Sequence, residues 1–158
     1  MEKVAVDAVE NELNPMEVHS VRKPVSRALG TTDFAMNYFE LEPGESFSGG
    51  LHRHNDQEEV FYVESGTATF DVGVDRESVA VDAGELIRFP PGQFQTGYND
   101  GDERVAGWAL GAPGAMHDWD ELQSHAYCPE CDEERVKDVA MADGRFRLTC
   151  TECGNVQE

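Results

Sequence analysis

An all-β fold is what this sequence predicts: a small antiparallel sandwich or barrel followed by a separate metal-binding tail. Three observations carry the prediction. From Phe34 to about residue 112 the chain breaks into seven or eight short segments rich in β-branched and aromatic residues. They recur at roughly 8–12-residue spacing and close on Gly, Pro, Asn or Asp, which is how a sandwich or barrel is punctuated. No convincing long helix interrupts them. Finally, all four cysteines lie in the last 31 of the 158 residues.

Residues 1–30 hold little beyond a short strand in "VAVDAV" and a helical turn in "KPVSRALG" closed by Gly30. The barrel is expected over 31–112, with strands in "FAMNYFELEPGE", "SFSGGLHRH", "EVFYVESG", "TATFDVG", "ESVAVDAG", "ELIRFPPG", "FQTGYNDGD" and "RVAGWALGAPG". Residues 113–125 read as a connector with one helical turn, and 126–158 as an independent tail turning at Asp143-Gly144.

Thirty-two acids against twelve bases leave a net charge of −20, and nine of the bases are arginine. Such a polyanion repels phosphate backbones and anionic membrane surfaces, which argues against nucleic acid as a ligand. The acids are spread along the chain, as in the cytosolic proteins of salt-in halophiles, where a Debye length of about 3 Å in molar salt screens their repulsion. The start, "MEKVAVDAVENELNP", is acidic and lacks the apolar stretch of a signal peptide. No run approaches the roughly 20 apolar residues of a membrane span, so a cytoplasmic location is expected.

Two of the five histidines, His52 and His54, stand at alternate positions of one strand. Successive strand side chains point to opposite faces, so both imidazoles look the same way and Arg53 looks the other. The next strand starts at Glu59, whose carboxylate can join them. Two imidazoles and a carboxylate with open positions suit Fe(II), Mn(II), Ni(II) or Zn(II). Glu58 is expected to face outward, and His19, His117 and His125 to lie at the surface.

The spacing His52-x-His54-x4-Glu59-x6-Gly66 resembles the first motif of the cupin superfamily. Gly84-x5-Pro90-x-Gly92-x2-Gln95-x3-Asn99 resembles the second. The resemblance implies a cupin-type jelly-roll β-barrel holding a divalent metal in one mouth through His52, His54, Glu59 and a fourth group. Cupins usually have histidine at that fourth position and this chain has Gln95, whose carbonyl binds a cation more weakly than imidazole does. Three readings stay open: Gln95 as a loose ligand, Gln95 as a contact to substrate or water, or an empty vestigial site. Phe61, Phe70, Phe89, Phe94, Tyr98 and Trp108 are candidates to line a small-molecule pocket.

In the tail, Cys128-x2-Cys131, eighteen residues, then Cys150-x2-Cys153 match a zinc spacing. Four thiolates close a tetrahedral structural site with no open position. The segment resembles a zinc ribbon, too short to fold without its metal. It is expected to fold independently of the barrel. Four bases against eight acids in 126–158 favour a protein partner over nucleic acid at the ribbon. Two functions are open: a metal-dependent small-molecule enzyme, dioxygenase- or isomerase-like, or a ligand-sensing module whose ribbon docks a partner. A homodimer is compatible with either.

Overall fold

The computed structural model describes residues 1–13, 15–116, 119–142 and 144–158. The expectations for His117 and for the Asp143 turn lie outside the described residues. Strands dominate from residue 35 onward, as the segment pattern predicts. They are β1 (Val21–Pro24), β2 (Ala35–Leu41), β3 (His52–His54), β4 (Glu58–Ser65), β5 (Thr67–Val72), β6 (Glu77–Asp82), β7 (Leu86–Phe89), β8 (Gln95–Tyr98) and β9 (Val105–Ala112). Four more follow: β10 (Leu122–Cys128), β11 (Glu133–Ala142), β12 (Arg145–Cys150) and β13 (Val156–Gln157).

They form two antiparallel sheets, β1-β2-β9-β4-β7 and β13-β12-β11-β10-β3-β8-β5-β6. The inner faces meet over Phe39, Leu41, Phe47, Phe61, Val63, Ala68, Phe70, Val81, Phe89 and Val105. Phe47 and Phe70 stack at 5.8 Å, and Phe61 lies 5.0 Å from Phe70. Aromatic rings and aliphatic side chains fill this interior. Two glycines make room for it. A Cβ on Gly97 would sit 2.7 Å from Phe70 Cδ1. Gly66 turns β4 into β5 at φ +77°, where a Cβ would strike the Arg104 carbonyl at 2.7 Å.

The N-terminal region departs from expectation in part. "VAVDAV" contains a single 3-10 turn, Val6–Ala8, in place of a strand. Residues Val25–Leu29 form the expected helical turn, closed by Gly30. His19, expected at the surface, is 2% exposed. His19 packs edge-on to Phe39 at 5.2 Å and its Nδ1 lies 3.1 Å from the Ser46 carbonyl. Burial lowers its pKa.

The tail is joined to the barrel's sheet through one strand. The expected connector 113–125 includes a 3-10 turn, Trp119–Glu121, and then enters β10. That strand pairs with β3 on one side and with β11 on the other, so the tail hairpin prolongs the barrel's own sheet. The boundary expected at residue 126 falls inside a continuous strand. His125, on its outer face, is half-buried against Phe94 at 5.7 Å.

Candidate metal centres

Strand alternation turns His52 and His54 inward and Arg53 outward. Arg53 lies over the Phe94 ring at 4.7 Å and donates to Gln123 Oε1 through Nε and Nη2. The two imidazoles sit 5.2 Å apart, nearly perpendicular. His52 Nδ1 is 2.9 Å from the Gly50 carbonyl. A carbonyl can only accept, so the proton is on Nδ1 and the Nε2 lone pair faces the site. An outer partner that fixes the tautomer in this way is typical of metal-binding histidines.

Glu59 projects from β4 opposite Phe89 of β7. One carboxylate oxygen lies 3.5 Å from His54 Nε2, and the other accepts from Gln95 Nε2 at 2.7 Å. The same amide nitrogen is 3.2 Å from His52 Nε2. Ligand atoms of His52, His54 and Glu59 all lie within 4.8 Å of one another. A cation with bonds of about 2.0–2.2 Å needs only small side-chain shifts to bind all three. Burial pushes the Glu59 carboxyl up to about 7, against the lowering effect of the Gln95 hydrogen bond. A carboxylate so disfavoured as an isolated charge is stabilised by a cation placed beside it.

Gln95 is 1% exposed and its Oε1 is buried without a hydrogen-bond partner. Rotating the amide by 180° exchanges its nitrogen and oxygen and turns Oε1 toward the ligand set. The donor set therefore fits a divalent cation, with one neutral oxygen available as a fourth ligand. The rest of the second motif is architectural. Gly92 N–H donates to the His54 carbonyl at 2.7 Å, and Asn99 Nδ2 clamps the Leu41 and Glu103 carbonyls.

The aromatic candidates divide. Phe61, Phe70 and Phe89 are buried in the core, and Phe89 is the cross-strand partner of Glu59. Phe94 faces outward under Arg53. Tyr98 turns to the outer face, where its hydroxyl donates to Asp71. Trp108 also lies outside, against Tyr38 at 5.1 Å with Nε1 donating to Glu64. Glu58, expected outward, is half-exposed and paired with Arg88 at 2.6 Å.

The four cysteines converge as their spacing predicts, with all sulfurs within 4.8 Å of one another and none in a disulfide. Cys128 closes β10 and Cys150 closes β12. Each starts a matching turn: Asp132 N–H donates to the Cys128 carbonyl and Gly154 N–H to the Cys150 carbonyl, and both donors have positive φ. Cys128 and Cys153 sulfurs are 3.5 Å apart, those of Cys131 and Cys150 4.0 Å. A tetrahedron with 2.3 Å bonds has edges of roughly 3.8 Å. Backbone N–H groups of Cys153 and Glu152 aim at Cys150 and lower its thiol to about 6. Hydrogen bonding to Cys153 pushes Cys131 up to about 12. Thiols this close cannot all ionise without a cation among them.

Sequence reasoning missed the Gly50 carbonyl, strand β10 and Lys137. Lys137 is fully buried on β11, pairs across to Cys150, and donates from Nζ to the Tyr127 carbonyl at 2.8 Å. The alternation of Leu122, Ser124, Ala126 and Cys128 with Gln123, His125 and Tyr127 was the available signal for β10.

The model of the cupin domain matches residues 37–108. A sugar phosphate isomerase of the cupin superfamily from Silicibacter pomeroyi superposes with a TM-score of 0.71 at 19% identity, covering 99% of this chain and 97% of that one. A conserved protein with a double-stranded β-helix domain from Klebsiella pneumoniae gives 0.59 at 22% identity, covering 77% and 89%. A cupin protein from Bacteroides fragilis gives 0.56 at 18%, covering 75% and 89%. A search of curated proteins finds no match. The domain match over 37–108 and the shared architecture show a cupin-type double-stranded β-helix fold, in which His52, His54 and Glu59 come within 4.8 Å of one another.

Proposed function

We propose that this chain is a metal-dependent cupin acting on a small molecule at the barrel mouth, with a structural zinc in its tail. The observation that carries the reading is the convergence of His52, His54 and Glu59 within 4.8 Å, beside the partnerless oxygen of Gln95. A divalent cation there supplies Lewis acidity toward a carbonyl or hydroxyl, or an open position for O2 if it is iron. The chain's own residues prepare the place. Gly50 orients His52, Gln95 holds Glu59, and the buried Phe89 is the cross-strand neighbour of Glu59. Isomerase and dioxygenase chemistry both fit such a site. The reduced cysteines suit a reducing cytoplasm, and the dispersed acidity suits high salt.

A sugar phosphate, the substrate class of the Silicibacter protein, suits this site poorly, because the basic residues lie elsewhere. Arg53 turns outward, Arg88 and Arg104 pair with surface acids, and Arg76 pairs with Glu134. Lys137 is committed to the Tyr127 carbonyl. A phosphate would find no cationic side chain at the mouth among these. An uncharged polar substrate suits the site better, bound through oxygen atoms to the cation.

The test is elemental analysis of metal-replete protein, then O2-uptake and isomerisation screens with neutral and phosphorylated sugars. Two metals per chain are expected, one of them lost in His52→Ala. At most one metal per chain, held by the cysteines, would show the barrel site to be vestigial.

A further inference from the structure

We infer that the tail cluster and the barrel site are coupled through strand β10, so that metal held by the cysteines tightens metal binding by His52, His54 and Glu59. The inference rests on the proposed reading of both centres as metal sites. What carries it is the way the histidine strand is held. β3 has three residues, and its partner β8 supplies only one paired residue, Gln95 opposite His52. On its other side β10 pairs with all three: Leu122 with His54, Gln123 with Arg53, Ser124 with His52.

Further bonds fasten the same edge. Asn55 N–H donates to the Glu121 carbonyl at 2.8 Å. The Leu51 carbonyl accepts from both the His125 N–H and the Ser124 hydroxyl. The Arg53 fork grips Gln123, whose own amide donates to Asp138 on β11 at 2.8 Å. β10 thus braces both histidines at its start and ends in Cys128.

One register row makes the connection concrete. Gln95, His52, Ser124, Lys137 and Cys150 are successive cross-strand partners in five adjacent strands. The row starts at the barrel's amide and ends at a tail sulfur. At about 4.8 Å per strand it spans roughly 20 Å. The far half of this sheet is fastened by the cysteine turns, since Cys128 and Cys150 end β10 and β12 and Thr151 N–H closes onto the Val136 carbonyl. Without a metal among the sulfurs, β11 and β12 lose that closure and β10 loses one neighbour. The cost passes to the position of β3, where a small displacement spreads the imidazoles. Coupling between two sites is reciprocal and typically changes affinity by about 5–150-fold.

Manganese(II) is the probe, because thiolates bind it poorly while imidazole and carboxylate accept it. It is titrated into zinc-loaded, full-length protein, with the free ion followed by electron paramagnetic resonance. One site per chain, abolished by His52→Ala, is expected. In zinc-free Cys150→Ser/Cys153→Ser protein the manganese dissociation constant should rise about tenfold. Gln123→Ala, which keeps every ligand, should weaken manganese binding several-fold with zinc still bound. In the unaltered chain, bound manganese should tighten zinc against a chelating dye by the same factor as the zinc effect on manganese. Dissociation constants within twofold across these proteins, and zinc affinity indifferent to manganese, would overturn the coupling while leaving the barrel site standing. No manganese binding to the zinc-loaded protein would overturn the barrel reading itself, and the coupling with it.

Discussion

The amide nitrogen of Gln95 donates to Glu59 Oε2 at 2.7 Å, so the residue at the position where cupins usually carry histidine is tied to the site's one carboxylate. The bond partly offsets the cost of burying that carboxylate. It also orients the amide so that its oxygen is available only after rotation, which makes Gln95 a weaker ligand than a histidine. Gln95→His should therefore retain metal through dialysis better than the natural chain. Gln95→Ala should lose some, and His52→Ala nearly all. Equal metal content in the three variants by plasma emission would contradict a site at this position.

Glu59 gives the barrel site a pH dependence. With the carboxyl near 7, proton and metal compete, and metal affinity should fall by up to tenfold per pH unit below neutrality. Stability of the metal-free protein moves the opposite way. The folded-state pKa lies above the ordinary carboxyl value of 4.5, so between 4.5 and about 7 the folded state holds a proton that the unfolded state releases. This contribution is fully present below 4.5 and fades as pH rises to 7, by an upper bound of about 3 kcal/mol. Urea unfolding of metal-stripped Glu59→Gln against the natural chain at pH 5 and pH 8 isolates it. The gap between the two proteins should widen with pH.

The tail predicts its own spectrum. X-ray absorption at the zinc edge should show four sulfur neighbours near 2.3 Å. Acidification should release the zinc, since every ligand must give up a proton to bind. Substituting Cys150 with Ser should raise the pH at which release occurs. A mixed sulfur and nitrogen shell would mean that His125 or another group displaces a cysteine.

Phe70 is fully buried between Phe47, Phe61 and Phe89. Phe70→Ala should cost about 3–5 kcal/mol in chemical denaturation. Gly97→Ala, pressing on the same ring, should cost about 1–3 kcal/mol. Trp108→Ala, on the outer face, should cost much less than Phe70→Ala. A comparable loss there would mean that the outer face is covered in solution.

What the sequence made legible was the chemistry with fixed spacing. His52 and His54 share a face through the period of two, the second motif marks Gln95 as the fourth group, and the cysteine pairs converge on one point. Strand β10 was hidden for a physical reason. Leu122–Cys128 has no β-branched residue, and its extended conformation is imposed by β3 and β11 on either side. Strand propensity is largely a report of such neighbours. The aromatic assignments were hidden differently. Alternation separates Phe61 from Tyr62 and Trp108 from Ala109, but which face closes on the other sheet emerges only from the pairing.

Both sheets end in modest strands. The first ends in β1, four residues finishing in Pro24, and in four-residue β7. The second ends in two-residue β13 and in β6, bounded by Glu77 and Asp82. Unpaired borders of a sheet invite other chains to add on, and brevity, proline and charge each discourage it. Concentrated salt, by screening a charge of −20, removes the long-range repulsion that otherwise keeps copies apart. The borders then guard against fibrous association by shape and hydrogen-bond count, at salt concentrations where charge alone would not.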